Sequence, residues 1–184
     1  FAHRDVGYEC LNYLIKIKRL PAGVVIPYKK NEIIFKSITE LAKKNKISYF
    51  LYNKNKFEKK LNNYIKSKKP DFGFSCYYPF ILSQKTINLF SNKIFNLHGG
   101  ILPDYKGALT SIWNIINNEE YGGSTIHIVT KKIDQGNIVE IKKCKINKND
   151  TSYSLYNKVS KLSLGLFKKY INKIIKNNRI YSRK

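Results

Sequence analysis

Methionine is absent from this 184-residue chain, tryptophan occurs once, and only 12 acidic residues stand against 35 lysines and arginines. Residue 1 is Phe, and Phe1-Ala2-His3 has the character of a strand end whose beginning is missing. At the other end, Asn177-Asn178-Arg179-Ile180-Tyr181-Ser182-Arg183-Lys184 stops without a closing element. The expectation is therefore one domain, residues 1–184, incomplete at both ends and weakly stable or inactive in isolation. The three cysteines, Cys10, Cys76 and Cys144, are far apart and show no CxxC spacing. That argues against a zinc site or a disulfide framework and for a reducing, cytoplasmic setting. No apolar run reaches the ~18 residues of a membrane span, and no secretory signal is visible. There is no GxGxxG after the first strand, no GxxxxGK[ST] and no GxSxG, which removes the usual phosphate cradles and the serine elbow. Three histidines at unrelated positions with few acids make no metal-ligand set, so no metal is expected.

What is abundant is positive charge, a formal +23. A charge of this size suits a polyanion such as RNA, or a nucleotide-carrying substrate. The lysines are spread over every segment, and Asn, Ile, Tyr and Phe are frequent with them, so a bias of composition gives the same number. Short apolar runs alternate with longer amphipathic stretches. Helices are expected at Gly7 to Lys18 with Asp5 as N-cap, Ile33 to Asn45 with Ile34, Ile38, Leu41 and Ala42 inward, Phe57 to Ser67, and near Ile81 to Phe90 after Pro79. Others are expected from Gly107 to Asn118, anchored by Trp113, Ile115 and Ile116, and from Ser152 to Lys176. Strands are expected at Gly23 to Ile26, Ile47 to Leu51, Asp71 to Cys76, Ile94 to Leu97, Thr125 to Val129 and Ile138 to Ile146, with a turn at Gly122-Gly123. The alternation implies an α/β fold: a Rossmann-like, mostly parallel sheet flanked by helices, lacking most of its first strand. Ligands of such sheets sit beyond the carboxyl ends of the strands.

One strand end carries chemistry. In Phe95-Asn96-Leu97-His98-Gly99-Gly100, residues 96 and 98 share a strand face. The two glycines then turn the chain away and leave an amide donor beside an imidazole at a rim, the pairing that acyl-group chemistry requires. Asp134, in Lys132-Ile133-Asp134-Gln135-Gly136, is an acid that could set the charge of that imidazole. His127 alternates with Ile126 and Ile128 and reads as a packed or surface residue. His3 reads equally as cleft lining or structure. Tyr77-Tyr78 could stack a planar ring, although paired aromatics after a strand commonly pack.

Together these segments resemble a known family. Asn96-Leu97-His98, Leu102-Pro103-x-Tyr105-Lys106-Gly107, Thr125-Ile126-His127 and Ile133-Asp134-x-Gly136 occur in the order of the folate-dependent formyltransferases. The likeness covers nearly the whole chain. Phe1 to Leu11 and Phe74-Ser75-Cys76-Tyr77-Tyr78 look most like the branch acting on amino sugars, above all the domain that formylates UDP-4-amino-4-deoxy-L-arabinose.

The resemblance implies 10-formyltetrahydrofolate as formyl donor and the amine of a nucleotide-linked amino sugar as acceptor, in glycan or lipopolysaccharide biosynthesis. It implies that Asn96 donates to a developing oxyanion, His98 transfers a proton and Asp134 raises the pKa of His98. It also implies that Phe80, Ile81 and Leu82 form one wall of the folate pocket and Thr130, Lys131, Lys132 and Ile133 another. Departures from the pattern are Gly100-Ile101 where many members have Ser-Leu, Lys106 where many have Arg, and Ala108 where the sugar relative has a folate-contacting Arg. Methionyl-tRNA is the alternative acceptor, favoured by the charge. A non-catalytic RNA-binding protein is a third reading, which leaves the ordered Asn-His-Asp set unexplained.

Overall fold

The computed structural model describes residues 1–28, 33–53, 58–91 and 93–177, with side chains 33–36 and 175–177 outside the description. The expected inward position of Ile34 and the segment after Asn177 therefore lie outside the described residues. The chain divides into two compact units, Phe1–Ile94 and Phe95–Lys184.

In the first unit, α1 (Arg4–Lys16), α2 (Ile33–Lys44), α3 (Glu58–Lys68) and α4 (Gln84–Asn88) alternate with β1 (Val24–Pro27), β2 (Tyr49–Tyr52) and β3 (Gly73–Cys76). The run Val24-Val25-Ile26 is apolar on both faces and is buried throughout, the pattern of a central parallel strand. β1 and β2 pair in parallel from Val24↔Tyr49 to Pro27↔Tyr52. Pro27 has no N–H to give to a ladder, and it ends the strand. Phe1 to His3 lies between β1 and β3: the Ala2 N–H donates to the Val25 carbonyl (3.0 Å), His3 to Cys76 (3.1 Å), and Cys76 back to Phe1 (2.8 Å). The expected strand end is thus paired on both sides. Ala2, Leu11, Val24, Ile26, Ile38, Ala42 and Ile47 form the core. Cys10 and Cys76 are buried as free thiols in this unit.

In the second unit, β4 (Ile94–His98, entered from the first unit), β5 (Tyr121–Ile128) and β6 (Ile138–Lys145) pair antiparallel, with α5 (Thr110–Ile116) and α6 (Ser152–Asn177) packed on β5. The parallel pairing expected from the alternation is found in the first unit, and a meander follows it. The β5–β6 connection is too short for a crossover, so this pair can only be antiparallel.

Three local expectations are corrected. Asp5 is not the N-cap of α1; His3 is, without a side-chain bond, because the helix starts directly from the strand end. Gly122 and Gly123 are not a turn but part of β5. A Cβ on Gly122 would stand 2.7 Å from Leu155, and one on Gly123 would stand 2.5 Å from the Lys142 carbonyl, so close approach explains both glycines. Trp113 and Ile116 do not anchor α5: they are 53% and 59% exposed, while Thr110, Ser111 and Asn114 are buried. The helix turns its polar side inward, a choice that a count of apolar residues cannot reveal. Among the described residues no helix is long and apolar enough to cross a membrane.

Candidate active site

β4 alternates as a strand must. Phe95 and Leu97 are buried on one face, and Asn96 and His98 share the other. The antiparallel register sets His127 of β5 directly across from Asn96, and Thr125 across from His98. Asp134 arrives from the β5–β6 loop with a left-handed backbone, φ 50°, a conformation Asp tolerates better than most residues.

These four side chains converge. Asn96 Nδ2 lies 3.0 Å from His127 Nε2 and 3.5 Å from Asp134 Oδ1. His98 Nδ1 lies 3.5 Å from Asp134 Oδ2, and His127 Nε2 lies 3.4 Å from Asp134 Oδ1. The Gly107 N–H donates to Asp134 Oδ2 at 2.8 Å. Gly107 holds φ 81°, where a side chain would be strained. Behind the cluster, the loop after β4 is pinned to β5. The Thr125 hydroxyl donates to the Gly100 carbonyl (2.7 Å) and accepts from the Leu102 N–H (3.2 Å), and the Ser124 hydroxyl donates to the His98 carbonyl (3.0 Å).

The electrostatics follow from dryness. Burial pushes the His98 imidazole below its ordinary pKa, while Asp134 and the Tyr105 carbonyl pull it up and His127 opposes them. The expected lift from Asp134 is present, but burial outweighs it, so the net shift is opposite to the expected one. Burial would raise Asp134, yet His127, His98 and the Gly107 amide hold it below the ordinary carboxylate value. At neutral pH the cluster is an ionised carboxylate beside a neutral His98. One Asn96 N–H is committed to His127. The other makes only the long contact to Asp134 and is free to meet a developing negative charge.

Asn96, His98 and Asp134 are thus brought together as the sequence suggested. His127 joins them, and sequence reasoning missed it. The available signal was its place in a strand whose antiparallel partner carries Asn96; without that register an isolated histidine looks like packing. Thr130, Lys131, Lys132 and Ile133 lie exposed in the loop that delivers Asp134, with the Thr130 hydroxyl donating to the Lys132 carbonyl at 3.0 Å. In the first unit Phe80 is half-buried and packs edge-on against Tyr52 and Tyr78, Ile81 is 59% exposed, and Leu82 is buried. Tyr78 itself packs against Phe1, which resolves the tyrosine pair toward packing at that position. His3 is buried, with Nδ1 3.2 Å from the Tyr77 carbonyl. Beside Asp134 opens a cavity of about 440 Å³, lined by Leu102, Pro103, Lys106, Gln135 and Asn137 among others.

The sequence profile of the formyl transferase family matches residues 25–171, across both units. The chain belongs to the formyltransferase family. It is 38% identical over 180 residues to the bifunctional polymyxin resistance protein ArnA of Wigglesworthia glossinidia brevipalpis, covering 96% of this chain and 27% of that protein. The N-formyltransferase from Helicobacter canadensis, solved in complex with folinic acid and dTDP-3-aminofucose, is 31% identical with a TM-score of 0.78, covering 100% of this chain and 65% of that one. Glycinamide ribonucleotide transformylase 1 from Symbiobacterium toebii has a TM-score of 0.84 at 15% identity, covering 100% of this chain and 88% of that one. A likeness at that identity speaks to fold alone. The chain spans about a quarter of the length of the curated relative it matches.

The family uses formyl-tetrahydrofolate as its donor. The residues present suit such a group. Within the second unit, Ile133 is a large apolar side chain left more than half exposed, of the kind that lies against a ring system, and Lys131 and Lys132 beside it are exposed cations of the kind that meet carboxylates.

Proposed function

We propose that this chain N-formylates the amine of a nucleotide-linked amino sugar, with 10-formyltetrahydrofolate as donor. The observation that carries the reading is the convergence of Asn96, His98 and Asp134 in a dry strand-end cluster. Identity to ArnA and to an enzyme solved with dTDP-3-aminofucose supports an amino-sugar acceptor.

The donor supplies the formyl group; Phe80, Ile81, Leu82 and Thr130 to Ile133 are the residues proposed to hold it. Asn96 directs its uncommitted N–H at the formyl oxygen as negative charge develops there, a contribution of about 3–4 kcal/mol in comparable sites. His127 fixes the Asn96 amide by taking its other hydrogen. His98, neutral because it is buried, takes the proton that the attacking amine gives up. Asp134 stabilises the imidazolium so formed.

The test is a purified protein given 10-formyltetrahydrofolate and, separately, UDP-4-amino-4-deoxy-L-arabinose, a dTDP-3-amino sugar, glycinamide ribonucleotide and methionyl-tRNA. Formylation of a sugar nucleotide is expected. Transfer only to tRNA or to the ribonucleotide would overturn the acceptor, and transfer to no amine would overturn the enzyme.

A further inference from the structure

The two histidines of the cluster each have one ring nitrogen on a backbone carbonyl, and they are opposite nitrogens. His98 Nε2 lies 2.6 Å from the Tyr105 carbonyl oxygen. His127 Nδ1 lies 3.0 Å from the Ile128 carbonyl oxygen. A carbonyl only accepts, so the nitrogen facing it must carry the hydrogen. The remaining nitrogens, His98 Nδ1 and His127 Nε2, are the two that face Asp134.

In this chain a residue with no side chain stands beside the short His98–Tyr105 contact. A Cβ on Gly100 would stand 2.6 Å from the Tyr105 carbonyl oxygen, 2.8 Å from His98 Nε2 and 2.9 Å from Thr110 Cγ2. The φ of Gly100 is not in the left-handed region that would demand glycine, so its need is for space. The Thr110 hydroxyl donates to the Gly99 carbonyl and the Tyr105 N–H donates to the Ile101 carbonyl, which closes the loop around this point.

We infer that the Tyr105 carbonyl locks neutral His98 as its Nε2–H tautomer and that Gly100 is the positioning residue that makes room for it, leaving Nδ1 bare and turned toward Asp134. The groups facing the ring are Asp134 from the β5–β6 loop, His127 from β5 and the Tyr105 carbonyl from the loop after β4. With His98 neutral, Asp134 meets a bare Nδ1 on that ring, and its short donor is the Gly107 N–H. The cluster is therefore one hydrogen short. When the attacking amine loses its proton, the N–H bonding pair stays on the amine nitrogen and the proton is bound by the His98 Nδ1 lone pair. The ring then donates to Asp134 and closes the 3.5 Å gap. This catalytic consequence rests on the formyl-transfer reading; the tautomer assignment does not.

The test is a long-range ¹H–¹⁵N spectrum of the protein labelled with ¹⁵N-histidine, at a pH where the imidazoles are neutral. Only three histidines exist, so His3→Gln and His127→Gln assign the signals. Opposite tautomers are expected, His98 with hydrogen on Nε2 and His127 with hydrogen on Nδ1. A His98 carrying hydrogen on Nδ1, or both rings in the same tautomer, would overturn the inference whether or not the protein formylates anything. In Gly100→Ala the single-tautomer signature of His98 should be lost, with kcat down about a hundredfold and KM changed less than about threefold. An unchanged tautomer with unchanged kcat would also overturn it. Should Gly100→Ala fail to fold, the unsubstituted protein's spectrum decides alone.

Discussion

The two units of this chain bury different things. The first is organised around apolar side chains: Ile26, Ile38 and Ala42 are fully inaccessible, and parallel strands run through the centre. The first also buries His3, Thr39, Ser75 and Thr86, but the second buries more polar side chains among the described residues, and His98, His127, Ser124, Thr125 and Ser163 each have a hydrogen-bond partner there. Apolar burial specifies a frame without specifying a chemistry. Buried polar groups must find partners or cost about 1–3 kcal/mol each, so where they gather they fix one another's orientation. That is why the proposed Asn96–His98–Asp134 chemistry is assigned to the polar cluster of the second unit.

Substitutions in the two units should therefore fail in different ways. Asn96→Ala removes a reactive donor and should lower kcat at least about a hundredfold, with a small effect on melting. A near-wild-type rate would erase the contrast. Ile26→Ala should do the reverse, costing about 2–5 kcal/mol in denaturant unfolding, while the folded fraction keeps its specific activity. Gly123→Ala probes the frame of the second unit. Its new Cβ meets the Lys142 carbonyl and Ile101, and a loss of about 1–3 kcal/mol is expected.

Acid should also separate the two. The folded-state pKa of His98 is depressed, so the unfolded chain binds its proton more readily. The stability contributed by neutral His98 is fully present above its ordinary value of 6.5 and is lost as pH falls through the folded value. Asp134 is depressed too, and its contribution is present above 3.8 and lost as pH falls through its own lower folded value. Melting temperature followed against pH should fall in two stages, and His98→Gln should abolish the upper one and move the lower one toward the ordinary carboxylate range. The smallest effect is expected at Trp113→Ala on the exposed side of α5, within about 0.5 kcal/mol in unfolding; a larger loss would mean that face is covered.

The first unit was the more legible in sequence. Runs such as Val24-Val25-Ile26 and the stripe of Ile38 and Ala42 are set by local periodicity, and each element formed within a few residues of its expected bounds. The site was half legible. Asn96 and His98 share a face by the period of a strand, which one segment reveals by itself. His127 does not reveal its role that way, because its partner lies 31 positions away and only the antiparallel register joins them. The same limit misplaced Gly122-Gly123: a glycine pair signals a turn or a close approach, and only the position of Leu155 and Lys142 chooses between them. The direction of the His98 shift was misread because burial, its largest cause, is a property of the assembled fold.

The central claim is that the strand-end cluster of the second unit moves a formyl group to a sugar amine. Its most direct test is mass-spectrometric detection of N-formylated sugar nucleotide from 10-formyltetrahydrofolate, with the unsubstituted protein and His98→Ala side by side. The account predicts product from the first and, from the second, a rate lower by at least about a hundredfold. Equal rates from the two, or no formylated sugar from the unsubstituted protein, would contradict it.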